Sequence, residues 1–173
     1  MYYSIFKTRL GWCGVVENNG LIKRIVLPCA NKRLVSQRIH KECPEAKENS
    51  SKLKKVSQLI IDYLNGEKKR LDFPIDLTGY TNFEKQVYKS LCRVPYGEVT
   101  TYGKLAKSAG NPRAARAVGN AMAKNPLPLF IPCHRVVKSD GAIGNFSALG
   151  GVALKKRLLE LERSHRLHRL KSV

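Results

Sequence analysis

Between Thr100 and Ala123 the chain is punctuated so closely that few local structures fit it. Thr100 or Thr101 can cap a short helix over Tyr102–Ala109, to which Leu105 and Ala106 give an apolar face. Gly110 then ends that helix in the left-handed conformation, which costs glycine nothing sterically. Asn111 reads as the cap of a second helix, Pro112–Ala123, with Pro112 in the first turn, where a missing N–H does no harm. Two short helices joined by a tight glycine turn form a helix-turn-helix. The second helix carries Ala114, Ala115, Ala117, Gly119 and Ala121, side chains small enough for its backbone to approach a groove. Arg113 and Arg116 stand three residues apart on it, on nearly one side. The plainer alternative is an αα-hairpin whose alanines pack against neighbours.

Charge separates these readings. The chain of 173 residues has 32 Lys and Arg against 13 Asp and Glu, a formal net charge of +19. After residue 80 the counts are 17 basic and 5 acidic. A surface this basic concentrates and steers polyanions, which makes nucleic acid the leading partner and DNA the natural target of the helical pair. No apolar run reaches the ~20 residues that span a bilayer, and the first residues lack the pattern of a secretory signal. A soluble, cytoplasmic chain with no membrane partner is expected.

The first part has a different character. Tyr3 and Ile5, then Trp12, Gly14 and Val16, alternate as strands do, and Glu17-Asn18-Asn19-Gly20 supplies a hairpin turn. Leu21–Leu27 reads as the returning strand, closed by Pro28. Residues 31–42 and 51–65 have helical spacing, and Phe73–Leu77 is a further candidate strand. Asp76–Tyr80 reads as a linker, after which Thr81 and Glu84 form a capping box that opens a helix ending before Pro95. The fold class is α/β of the α+β kind. Residues 1–79 form a small N-terminal sheet-plus-helices scaffold, and residues 80–173 a mostly helical C-terminal domain with the helix-turn-helix.

Five cysteines without a CxxC pair argue for free thiols. His40 and Cys43 are close in sequence and zinc could recruit Cys13 or Cys29 to them, but no regular ligand spacing supports it, and no metal is expected. Cys133 is different, because it lies in Ile131-Pro132-Cys133-His134-Arg135-Val136-Val137. A thiol attacks as the thiolate, which a histidine base can generate and a carboxylate behind the histidine can support. In an extended segment the His134 side chain would point away from Cys133, so a bridging water is the simpler link. Taken alone, a cysteine beside a histidine is more often an inert buried thiol.

Pro132-Cys133-His134-Arg135-Val136 resembles the active-site signature of the O6-alkylguanine-DNA alkyltransferases, the methylated-DNA–protein-cysteine methyltransferases. So do Val94-Pro95-Tyr96-Gly97-Glu98-Val99, Tyr102, Gly110 through Gly119, Met122, Asn125-Pro126, Gly144-Asn145 and Leu158-Leu159 through Glu162, in order and spacing. The resemblance covers residues 81–163, and the N-terminal half shares only the general layout. It implies that Cys133 accepts the alkyl group, activated through water by His134 with Glu162 (rather than Glu160) holding the imidazole. Asn125 would sit at the hinge after the recognition helix, and Tyr102 would give a proton to N3 of the leaving guanine. Arg116 would enter the base stack in place of the extruded nucleotide, with Tyr102, Asn111, Arg113 and Ser139 also at the DNA. Met122, Val136, Phe146 and Ser147 would line the base pocket. Phe146 departs from a position often occupied by tyrosine, so a hydroxyl contact is lost there. His165 and His168 in the basic tail have no implied role and are expected to be solvated.

The implied chemistry is stoichiometric. The sulfur displaces guanine from the alkyl carbon, and the thioether that forms has no good leaving group. One molecule therefore repairs one lesion, with no cofactor, after the nucleotide has been flipped out of the duplex at a cost of a few kcal/mol. The expected partner is double-stranded DNA containing O6-alkylguanine, met by a monomer. A non-catalytic helix-turn-helix DNA-binding protein is the main alternative, and it leaves the cysteine segment unexplained. A Cys-His hydrolase leaves the basic helix unexplained and requires turnover.

Overall fold

The computed structural model describes residues 1–67 and 70–170, with side chains described as far as Ser164; His165 and His168 lie outside the described side chains. The chain divides into two units, Met1–Asp76 with Ala148–Gly150, and Leu77–Ser147 with the segment from Gly151 onward. The architecture is mixed, a sheet unit with helices followed by a helical unit.

In the first unit β1 (Tyr2–Thr8), β2 (Gly11–Asn18) and β3 (Leu21–Cys29) form an antiparallel meander. The β2–β3 turn is made by Asn19 and Gly20, at φ 50 and 84, the pair of positive values that suits the strands' own twist. The Gly20 N–H donates to the Glu17 carboxylate. Helix α1 (Lys32–Glu42) begins at Asn31, whose side chain accepts from the Leu34 N–H at 3.0 Å. It sits so close to β2 that a Cβ on Gly14 would meet Val35 Cγ1 at 2.6 Å and Ile39 Cδ1 at 2.8 Å. Tyr3, Ile5, Val16, Val26, Val35 and Ile39 close this core. Helix α2 (Lys54–Asn65) packs on β1 and buries Val56, Ile60, Tyr63 and Leu64, one face at helical spacing.

Three details differ from the sequence reading. Strand β3 runs through Pro28 to Cys29, because Pro28 falls in a bulge between the Trp12–Cys29 and Gly14–Val26 pairs, where no ladder N–H is required. Phe73–Leu77 forms no strand. Ile75 makes one isolated bridge to Ile22, and Pro74 has no N–H to continue a ladder. A two-residue strand β4 (Lys47–Glu48) pairs parallel with β1, and its exposed charged residues carry no alternation by which to predict it. The strand order is β3-β2-β1-β4.

In the second unit α3 (Asn82–Leu91) opens with the capping box: Thr81 Oγ1 accepts from the Glu84 N–H at 3.2 Å, and Glu84 accepts from the Thr81 N–H at 2.9 Å. A two-residue strand β5 (Thr100–Thr101) leads into α4 (Tyr102–Ser108), capped by Thr101. Gly110, at φ 83, reverses the chain. Its N–H donates to Lys107 O at 3.0 Å, and that of Asn111 to Ala106 O at 3.0 Å, the paired bonds of a Schellman ending. That corrects the expectation for Asn111. Its backbone closes α4 and its side chain caps nothing, Pro112 and Arg113 form a turn, and α5 spans Ala115–Lys124. Arg113 therefore precedes the helix that carries Arg116, and both side chains are exposed.

Beyond α5, a 3-10 turn over Cys133–Arg135 runs into β6 (Val136–Val137), which pairs parallel with β5. Helix α6 (Gly151–Leu170) buries Leu154, Lys155, Leu158, Leu161 and Glu162. That spacing is one helical stripe, with two charges among its leucines. Among the described residues no helix is long and apolar enough to cross a membrane.

Candidate active site

The segment before the nucleophile is held by one side chain. Asn125, at the end of α5, donates through Nδ2 to Ile131 O at 2.8 Å and accepts from the Leu127 N–H at 3.0 Å. The loop so clamped carries Leu129 at φ 76, a strained conformation for a branched residue that is buried here. Pro132, at φ −78 and ψ 65, forms a γ-turn in which the Cys133 N–H donates to Ile131 O at 2.7 Å. Cys133 and His134 therefore lie on a tight 3-10 turn, not in the extended segment expected.

Cys133 is 6% exposed. Burial pushes its thiol pKa up, opposed by a hydrogen bond from Asn125, the Lys155 charge and the backbone N–H groups of Cys133 and His134. The resting sulfur is thus a thiol that has to lose its proton for attack. His134 is fully buried, with Nε2 2.6 Å from Glu162 Oε1. Glu162 also accepts from Arg135 Nε at 2.9 Å, Arg135 Nη2 at 3.0 Å and the Gly97 N–H at 2.9 Å. Burial would raise the Glu162 pKa, but hydrogen bonds and charge from His134 and Arg135 outweigh it and keep the carboxylate ionised. An ionised carboxylate only accepts, so Nε2 carries the imidazole proton. Burial pulls the His134 pKa down against the pull of Glu162. The ring is therefore neutral at pH 7 with a bare Nδ1, and Nδ1 makes no hydrogen bond to the protein.

Lys155 also enters from α6, buried, with Nζ donating to Val136 O at 2.6 Å and lying 5.8 Å from the centre of the Phe146 ring. Burial lowers its pKa, and the neighbouring Cys133 raises it. Tyr102, in the first turn of α4, has a raised pKa, first from burial and then from Cys133, so its hydroxyl keeps its proton. A Cβ on Gly144 would lie 3.6 Å from that hydroxyl, which places the Gly144 backbone beside it. Met122 and Val136 are buried, and Ser147 Oγ donates to Ala123 O at 3.2 Å. Asn111, Arg113, Arg116 and Ser139 are exposed.

Arg135 and Lys155 are the residues that sequence reasoning left without a role. A signal was present for both. Arg135 lies in an apolar run, where a buried guanidinium must find a carboxylate. Lys155 sits seven residues before Glu162 on the apolar stripe of α6, facing inward with it. The remaining cysteines divide. Cys13 and Cys43 are buried, whereas Cys29 is half-buried and Cys92 exposed. Among the described residues no group of three or more His, Cys, Asp or Glu side chains could hold a metal.

Comparisons with known proteins agree along the chain. Residues 82–164 match the family described as "6-O-methylguanine DNA methyltransferase, DNA binding domain". Residues 1–77 match the one described as "6-O-methylguanine DNA methyltransferase, ribonuclease-like domain". A methylated-DNA–protein-cysteine methyltransferase of Methanosarcina acetivorans is 34% identical over 165 residues, 95% of this chain and 99% of its own. The constitutive enzyme of that name from Bacillus subtilis is 34% identical over 166 residues, 94% and 95% of the two chains. Among solved structures, "Mycobacterium tuberculosis OGT in complex with DNA" matches with a TM-score of 0.81 at 29% identity, covering 95% of this chain and 94% of that one.

Proposed function

Since this chain belongs to the family of 6-O-methylguanine DNA methyltransferases, we infer from its own geometry which residues carry the reaction. The protein repairs DNA directly, moving the alkyl group of O6-alkylguanine to one of its own cysteines. The acceptor in this reading is Cys133. The observation that carries it is the buried sequence of groups behind that thiol: a neutral His134 with bare Nδ1, and an ionised Glu162 on Nε2.

The proton of Cys133 passes to His134 Nδ1 through a water, and Glu162 stabilises the imidazolium that results. The sulfur attacks the alkyl carbon in line, a C–S bond forms, and the bond to O6 breaks with its electron pair leaving on guanine. The Tyr102 hydroxyl, which remains protonated, supplies a proton to the departing base. Asn125 holds the turn that presents the sulfur, and Met122, Val136, Phe146 and Ser147 surround the flipped base. Phe146 offers a ring without a hydroxyl. Arg116, exposed at the start of α5, takes the place of the extruded nucleotide, with Asn111, Arg113 and Ser139 on the backbone around it. The scaffold is 1–79, and the DNA-binding and acceptor part is 80–173. A cytoplasmic, monomeric, DNA-associated protein completes this reading.

The test is to incubate the protein with duplex DNA holding one O6-methylguanine and to weigh it intact. One methyl group should appear on Cys133, mole for mole, and none in Cys133→Ala. Repeated turnover, or an adduct elsewhere, would overturn the reading.

A further inference from the structure

The alkyl transfer inferred above needs His134 to meet the lesion without a proton on Nδ1. Yet its neighbour on Nε2 is a buried carboxylate, and an imidazole beside a lone buried carboxylate is drawn into the charged form. The cluster contains an answer. Arg135 grips both oxygens of Glu162, Nε to Oε2 at 2.9 Å and Nη2 to Oε1 at 3.0 Å, and Nη1 is fixed on Val94 O at 2.7 Å. The guanidinium lies 5.7 Å from the centre of the Tyr96 ring, so its plane is held on a second side. An arginine does not lose its proton, and its fork matches a carboxylate edge-on. The negative charge of Glu162 is therefore already met before His134 takes part.

The charged groups that bear on His134 are Glu162 and Lys155 from α6 and Arg135 from its own turn, in which the Cys133 thiol is the adjacent titratable group. The 94–97 segment contributes the Val94 carbonyl and the Gly97 N–H. Burial already disfavours a resting imidazolium, and with Arg135 in place one would also put two cations on one buried carboxylate, with the Lys155 ammonium adding to the repulsion. We propose that Arg135 is a positioning residue for the alkyl transfer, which keeps His134 in its neutral, proton-accepting form by occupying both oxygens of Glu162 with a permanent positive charge. The imidazolium forms only when Cys133 hands over its proton, and it is discharged once the product has left.

This inference rests on the repair reading, and the experiment keeps the two apart. In the full-length protein labelled with 15N-histidine, NMR should show His134 as the neutral Nε2–H tautomer at pH 7. An imidazolium there, with Cys133 still alkylated by the free base O6-benzylguanine, overturns the role of Arg135 and the proton route through His134, and leaves Cys133 as the acceptor. Failure of the wild-type protein to alkylate Cys133 overturns the repair reading itself. In Arg135→Met, His134 should be charged at pH 7, and the acid limb of the alkylation rate should move up by on the order of one pH unit. Arg135→Lys should recover most of that shift, and Arg135→Met with Glu162→Gln should return His134 to neutral. Slowing by one factor at every pH, with an unchanged His134 spectrum, would mean that Arg135 only packs. Should Arg135→Met not fold, the wild-type spectrum and Arg135→Lys decide the matter alone.

Discussion

Replacing Gly119 by alanine separates what the folded chain needs from what its partner needs. Gly119 lies inside α5, and a Cβ built there meets nothing within 4 Å. Neither strain nor a clash opposes the added methyl, and glycine in a helix interior costs about 1 kcal/mol relative to alanine. The free protein should accordingly become more stable by up to about 1 kcal/mol, raising Tm by roughly 2–4 °C. The glycine then has no purpose within the chain. On the DNA reading its bare backbone lies against the groove, where a methyl group overpacks a close contact at about 1–3 kcal/mol. That converts to duplex binding weaker by roughly 5- to 150-fold. Thermal melting of the free protein and fluorescence anisotropy with labelled duplex measure the two effects, with Cys133→Ala as background so that no chemistry intervenes. Unchanged DNA affinity would refute the assignment of this helix face to the groove, and a lower Tm would refute the reasoning about its open space.

Arg116→Ala should slow repair in duplex DNA by roughly tenfold or more, while alkylation by free O6-benzylguanine stays near wild type; equal slowing of both, in rapid-quench measurements, removes the stack-entering role. Asn125→Ala should lose about 1–2 kcal/mol in urea unfolding, from two broken hydrogen bonds, and should slow alkylation by the free base because the strained Leu129 loop and the turn behind Cys133 are released. Acid sensitivity has a definite sign. His134 and Glu162 both have folded pKa values below their ordinary ones, Glu162 at about 2. Each contributes stability that is complete above its unfolded value and is lost as pH falls through the folded one. Stability should therefore drop first below about pH 6.5, from His134, and again between about 4.3 and 2, from Glu162. Denaturant midpoints against pH in Glu162→Gln should show a smaller second decline, the part that remains coming from Glu17 and Glu84, whose carboxyls also lie below their ordinary range.

The sequence was most legible where one residue type has one physical use. Gly20 and Gly110 mark the turns they make, Thr81 and Glu84 cap α3 as a reciprocal pair, and Asn31 begins α1. It misled where a backbone group competed with a side chain for the same task. Asn111 has the side chain of a cap, but its backbone completes the ending of α4 through the bond to Ala106 O, and α5 starts only at Ala115. Strands of two residues, β4, β5 and β6, are too short to carry a period and arise only from pairing with distant partners. The site divided in the same way. Cys133, His134 and Glu162 were named through the family resemblance, not through any spacing of their own. The apolar run around Arg135 and the stripe that Lys155 shares with Glu162 were local signals for burial, but which groups the two charges meet depends on where α6 lies.

A nucleophile that is used once has to be inert while it waits. Peroxides, disulfides and stray electrophiles select for thiolates in the open. At rest Cys133 offers them a protonated sulfur, 6% exposed, beside a base that is ready but not yet engaged. Reactivity is thereby withheld from the cell's ordinary chemistry, and a molecule that is discarded after one event is kept from being wasted on the wrong one.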